Sequence, residues 1–146
     1  MRIVFDTNVL ARAHQRSLGP ARRVLVYVTA GSDVLILSQH LLQELGRVLV
    51  YPKLLERSRL TPPDIAEYLE CLARASTLVN PLPVPRDLLR DPSDEPVLGT
   101  ALAGQADMIC TRDADFFDEK MLGFGRTNGI RILTDVELLH ALGVRS

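Results

Sequence analysis

Four carboxylates stand where a folded chain has little structural use for charge: Asp6, Glu44, Asp94 and Asp113. Asp6 directly follows the apolar run Ile3-Val4-Phe5, and Asp113 follows Asp107–Thr111. Both runs read as buried strands of a parallel sheet, and such sheets place their ligand sites at the carboxyl ends of the strands. Glu44 shares one helical stripe with Leu37, Leu41 and Val48, and Asp94 opens a second with Leu98, Ala101 and Gln105. An unpaired charge is costly to bury, so such groups are paired, protonated or bound to a cation.

Divalent metal binding is the chemistry that wants this pattern. Mg2+ and Mn2+ prefer hard oxygen ligands, and grouped carboxylates repel one another until a cation joins them. A metal so held lowers the pKa of a bound water and stabilises charge developing on a phosphodiester; two ions about 3.5–4 Å apart would clamp the attacking and leaving oxygens. Thr7, Asn8, Ser38 and Thr111 offer hydroxyl and amide groups that could orient the carboxylates or their waters. Each residue also has a structural explanation. Asp6, Ser38 and Asp94 could cap helices, Asp113 could belong to a turn, and Arg47 or Arg112 could neutralise Glu44 or Asp94. One such acid is readily explained that way; four together are less so.

The segments that must carry these groups alternate between strand and helix. Strands are expected at residues 2–5, 34–37, 107–111 and 130–133. Helices are expected after Asp6, from Gly19-Pro20 to Ala30, from Ser38 to about Val50, from Thr61, over 93–105 and over 134–142. Tyr51-Pro52 ends one helix, Asn80–Pro85 is an extended proline-stiffened connection, and Gly123–Asn128 reads as a surface loop. The pattern predicts one α/β domain over residues 1–146, a parallel β-sheet flanked by helices on both faces.

A chain of 146 residues with 47% hydrophobic content can bury a substantial core. No apolar run is long enough for a membrane span, and the start lacks the pattern of a signal peptide, so a cytoplasmic location is expected. Cys71 and Cys110 form no Cys-x-x-Cys pair and read as reduced core thiols. The net charge of −1 excludes binding of nucleic acid by bulk charge alone. The first sixty residues nevertheless hold eight Arg and one Lys against four acids, so a basic flank could lie beside an acidic centre.

Four stretches carry a family resemblance: Ile3-Val4-Phe5-Asp6-Thr7-Asn8-Val9-Leu10, Ser38-Gln39-His40-Leu41-Leu42-Gln43-Glu44-Leu45, Asp91-Pro92-Ser93-Asp94-Glu95-Pro96-Val97-Leu98, and Ala106-Asp107-Met108-Ile109-Cys110-Thr111-Arg112-Asp113. With the ending Gly129-Ile130-Arg131-Ile132-Leu133-Thr134, the chain resembles a PIN domain of the VapC-like group, the toxins of toxin–antitoxin pairs. The resemblance implies a single PIN-like domain that cleaves single-stranded RNA with Mg2+ or Mn2+ and is held by a cognate antitoxin. Carried over by position, Asp6, Glu44, Asp94 and Asp113 would be the catalytic metal ligands, with Asp91, Thr111 and Asp115 as auxiliaries. Glu95 and Pro96 depart from the pattern, standing where relatives often carry another acid and a Lys or Asn.

Aromatic residues are few and include no Trp, so Arg12, Arg16, Arg22, Arg23 and Arg112 are better candidates for RNA contact than stacking side chains. Apolar helical faces around Leu25–Val28 and Leu138–Leu142 are core by default, or contacts for a homodimer or the antitoxin. His14, His40 and His140 are isolated, and neither a nucleophile elbow nor a glycine-rich phosphate loop occurs. Two other readings stay open. A phosphohydrolase using Asp6 as nucleophile would want a second acid where Asn8 stands; a non-catalytic module would bind RNA or protein without cutting.

Overall fold

Ile3, Val4, Phe5, Ile36, Leu37, Ile109 and Cys110 have no exposed surface. Such continuous apolar runs can be satisfied only in strands covered on both faces. The computed structural model describes residues 1–144 and forms them into a five-stranded, fully parallel sheet. The strands are β1 (Arg2–Phe5), β2 (Val34–Leu37), β3 (Ser76–Leu78), β4 (Met108–Cys110) and β5 (Arg131–Leu133), in the order β3-β2-β1-β4-β5.

Among the described residues eight helices surround it: α1 (Thr7–Leu10), α2 (Pro20–Ala30), α3 (Gln39–Leu49), α4 (Pro52–Ser58), α5 (Pro62–Ala75), α6 (Glu95–Ala103), α7 (Glu119–Thr127) and α8 (Asp135–Ala141). Helix α6 lies across β1, β2 and β4 with α3 beside it, while α2 and α8 pair with each other against β2 and β5. Ser38 caps α3 through a bond from Leu41 N, and Thr61 and Thr134 close reciprocal capping boxes at α5 and α8. The single α/β domain with its parallel sheet is thus as expected from the alternation of segments.

Several details differ from the sequence reading. Pro52 ends α3 and also occupies the first turn of α4, where its missing N–H and fixed φ suit a helix start. Ser76–Leu78, too short and polar to stand out, becomes the edge strand β3 by pairing with β2. The expected loop at Gly123–Asn128 lies largely within α7. Gly125 sits there because a Cβ would come within 2.6 Å of Ile130 O, so its glycine serves close packing and not a turn. A 3-10 turn, Pro92–Asp94, precedes α6, so the helix starts at Glu95 and not at Ser93. Cys110 is buried as expected, but Cys71 is exposed, at the margin of the α5 face that buries Ile65, Tyr68 and Leu72.

Candidate metal centre

Strands β1 and β4 are neighbours in register, with Phe5 opposite Cys110, so the next residues, Asp6 and Thr111, leave the sheet side by side. The sheet extends from this pair in opposite directions, β2 and β3 one way and β5 the other, which opens a crevice beyond their carboxyl ends. Asp6 is 5% exposed. Thr111 Oγ1 donates to its Oδ2 at 2.7 Å, and Thr7 N donates to its Oδ1 at 2.7 Å. Burial pushes the Asp6 carboxyl up from its ordinary pKa; these hydrogen bonds pull it back in part, and neighbouring Asp113 raises it further. The Asp113 amide donates to Thr111 Oγ1 at 3.1 Å, and Asp113 Oδ1 accepts from Asp115 N at 2.9 Å. This tight turn folds both acids back over the end of β4.

Asp94 arrives from the other side, at the start of α6. Carboxylate oxygens of Asp94, Asp113 and Asp115 all lie within 4.8 Å of one another. Although Asp94 occupies the capping position, its side chain caps nothing, and its Oδ2 is buried with no hydrogen-bond partner. Its pKa is pushed up to about 7, first by burial and then by Asp113, with Asp6 and Asp91 adding to the repulsion. Among the described residues no Lys, Arg or His side-chain nitrogen lies within 4.0 Å of a carboxylate oxygen of Asp6, Glu44, Asp94, Asp113 or Asp115. Arg112 turns instead toward Asp135, with its Nε 3.7 Å from Oδ1. The structural ion pairs that could have explained these acids are therefore not formed.

Asp6, Asp94 and Asp113 are brought together, and Asp115 joins the tight group, closer in than an auxiliary place would suggest. Glu44 is half-buried on α3, which packs against α1 and α6, but it lies outside the group of three. Asn8 Oδ1 accepts from Arg112 N at 3.2 Å, tying the end of β4 to α1. Ser38 Oγ and Thr100 Oγ1 share a bond of 3.0 Å that fixes α6 against the start of α3. Asp91 is exposed and caps the 3-10 turn through Ser93 N. Of the basic candidates, Arg12 and Arg112 line one small cavity together, Arg16 pairs with Asp64 at 3.4 Å, and Arg22 bonds Ala13 O. Sequence reasoning missed Thr100 and Asp135. The signal for Asp135 was faint: an acid in the first turn of a helix is ordinarily a solvated helix-dipole partner, yet this one is 1% exposed.

A cluster of hard oxygen donors without a cationic side chain suits Mg2+ or Mn2+, and the orphaned Asp94 Oδ2 is an open donor at its centre. The family model of the PIN domain matches residues 2–115, a span holding every one of these acids. The chain belongs to the PIN domain family. PIN domains are divalent-metal-dependent nucleases, which agrees with the donor set of this one. No curated protein matches the chain. Strand β5 and helices α7 and α8 lie beyond the matched span, yet β5 pairs with β4, so they complete the sheet of this PIN domain.

Proposed function

We propose that this PIN domain, residues 1–146, is an endoribonuclease that hydrolyses phosphodiester bonds of single-stranded RNA with Mg2+ or Mn2+. The observation that carries the reading is the group of Asp94, Asp113 and Asp115 beside Asp6, with one buried oxygen unpartnered and no cationic side chain to neutralise it. Asp6, Asp94 and Asp113 are the metal ligands, Asp115 supports them, and Glu44, on α3, is the fourth catalytic carboxylate. A bound divalent cation supplies Lewis acidity and a water acidified toward neutral pH. Thr111 orients Asp6 from within the sheet, Thr7 holds its other oxygen, and the Asp113–Asp115 turn keeps two carboxylates aimed at one point.

The finer biological reading is a toxin restrained by a small antitoxin, acting in the cytoplasm as a homodimer. It is supported by the quoted motifs and by exposed Val26, Tyr27 and Val136 on the paired helices α2 and α8. Leu25, Val28, Leu138 and Leu139 are buried and leave those contacts to their neighbours. Among the described residues no helix is long and apolar enough to cross a membrane.

The test is cleavage of a mixed single-stranded RNA with Mn2+, with EDTA, and with Asp6→Asn. Cutting that needs both the metal and Asp6 is the expected result. Bound but intact RNA with Mn2+ present would favour a non-catalytic module, and hydrolysis of a small phosphate ester would favour a phosphohydrolase.

A further inference from the structure

Between the chain leaving α1 and helix α4 lies a cavity of about 550 Å3. Asn8, two residues beyond Asp6 and bonded to the amide of Arg112 next to Asp113, lines it together with Arg12 and Arg57. Neither guanidinium makes an ion pair among the described residues, and no acid lines the cavity.

The remaining polar groups share one property. Ser17 Oγ accepts from Gly19 N and Ser58 Oγ from Leu60 N, each at 3.2 Å, so both hydroxyl protons stay free to donate. His14 Nδ1 accepts from Arg16 N at 3.2 Å, which puts the proton of the neutral ring on Nε2. Asn8 Oδ1 is used by Arg112 N, leaving the amide NH2. Every polar side chain on this wall thus keeps a donor to offer. Val48 and Leu54 supply an apolar surface, and no Phe, Tyr or Trp lines the cavity to stack a base.

A wall of donors with two free guanidinium groups and no acid fits an anion rich in acceptors. Resting on the ribonuclease reading, we infer that this cavity is the subsite for the RNA backbone next to the scissile bond, with Arg12 and Arg57 on its phosphates. Arg57 is thereby added to the candidates for substrate contact. Arg16, committed to Asp64, is not part of this subsite. Recognition here is of phosphate and not of base identity.

The experiment is fluorescence-anisotropy binding of a labelled single-stranded oligouridylate, with Ca2+ replacing Mg2+ to suppress cutting, over a series of salt concentrations. Each phosphate contact contributes about 0.7 to the slope of log affinity against log salt on a single strand. Arg57→Gln and Arg12→Gln are each expected to weaken binding about tenfold and to lower the slope by about that amount. Mn2+ affinity and the thermal midpoint should be unchanged, and Arg74→Gln, which removes the same charge from exposed α5, should leave binding as it was. Wild-type binding with unaltered slopes in both variants, or an equal loss in Arg74→Gln, would overturn the subsite alone. Failure of the wild type to bind any single-stranded RNA with cation present would remove the ribonuclease reading, and the subsite with it.

Discussion

The Thr111 hydroxyl donates to Asp6 Oδ2 at 2.7 Å, joining two residues 105 positions apart at the adjacent ends of β4 and β1. Thr111 Oγ1 also accepts from the Asp113 amide, so one side chain holds the positions of two acids. Thr111→Val keeps the shape and removes the hydroxyl. Loss of such an outer support typically weakens metal binding about 10–100-fold, and a buried acceptor left unmatched costs about 1–3 kcal/mol. Calorimetric titration with Mn2+ and urea unfolding check this, and Thr111→Ser should recover most of both.

Asp94 sets a pH dependence of the metal-free protein. Its pKa is about 7 in the fold against an ordinary 3.8, so the folded state holds a proton that the unfolded chain has released. Stability from this group therefore falls as pH rises from about 4 to about 7 and is level above. Asp6, also raised, acts in the same direction, whereas His14, lowered by burial and by Arg22 and Arg16, acts in the opposite one. The difference in thermal midpoint between wild type and Asp94→Asn in EDTA isolates the Asp94 share. It should grow across that range, and Mn2+ should stabilise the wild type more at the alkaline end. A difference independent of pH would sink the prediction.

Asp135 is buried, and Arg112 is the cation beside it. Arg112 is about two-fifths exposed, so the loss from Arg112→Ala should fall between exposed and buried pairs, on the order of 1–3 kcal/mol. A double-mutant cycle with Asp135→Asn, read by urea unfolding, gives the coupling. The double variant should be more stable than Arg112→Ala alone if Asp135 matters mainly as the charge left behind.

Gly99 lets the proline-stiffened segment cross α6. A Cβ there would meet Leu82 O at 2.5 Å and Pro81 Cβ at 3.1 Å, and Leu82 N donates to Gly99 O at 3.0 Å. Gly99→Ala should destabilise by about 1–3 kcal/mol despite the higher helix propensity of alanine. It should also weaken Mn2+ binding, because α6 carries Asp94. A gain in urea midpoint would mean that the crossing yields more easily than this geometry implies.

By itself the sequence determined the alternation of buried runs and helices, and with it the parallel sheet. Continuous segments such as Ile3–Phe5 and Val34–Leu37 can be satisfied in few other ways, and caps such as Ser38, Thr61 and Thr134 are local chemistry. It also marked the acids, since Asp6 and Asp94 break apolar patterns visible along the chain. Only the tertiary structure decided which acids meet. Strand order puts Asp6 beside Thr111, and the turn after β4 draws Asp115 into the group while Glu44 stays outside it. Gly125 looked like a loop residue because propensity records a missing side chain, not the carbonyl packed against it. Asp135 went unmarked in the sequence because its burial depends on β5 and Arg112. Local rules act over a few residues; these outcomes depend on groups brought together across the fold.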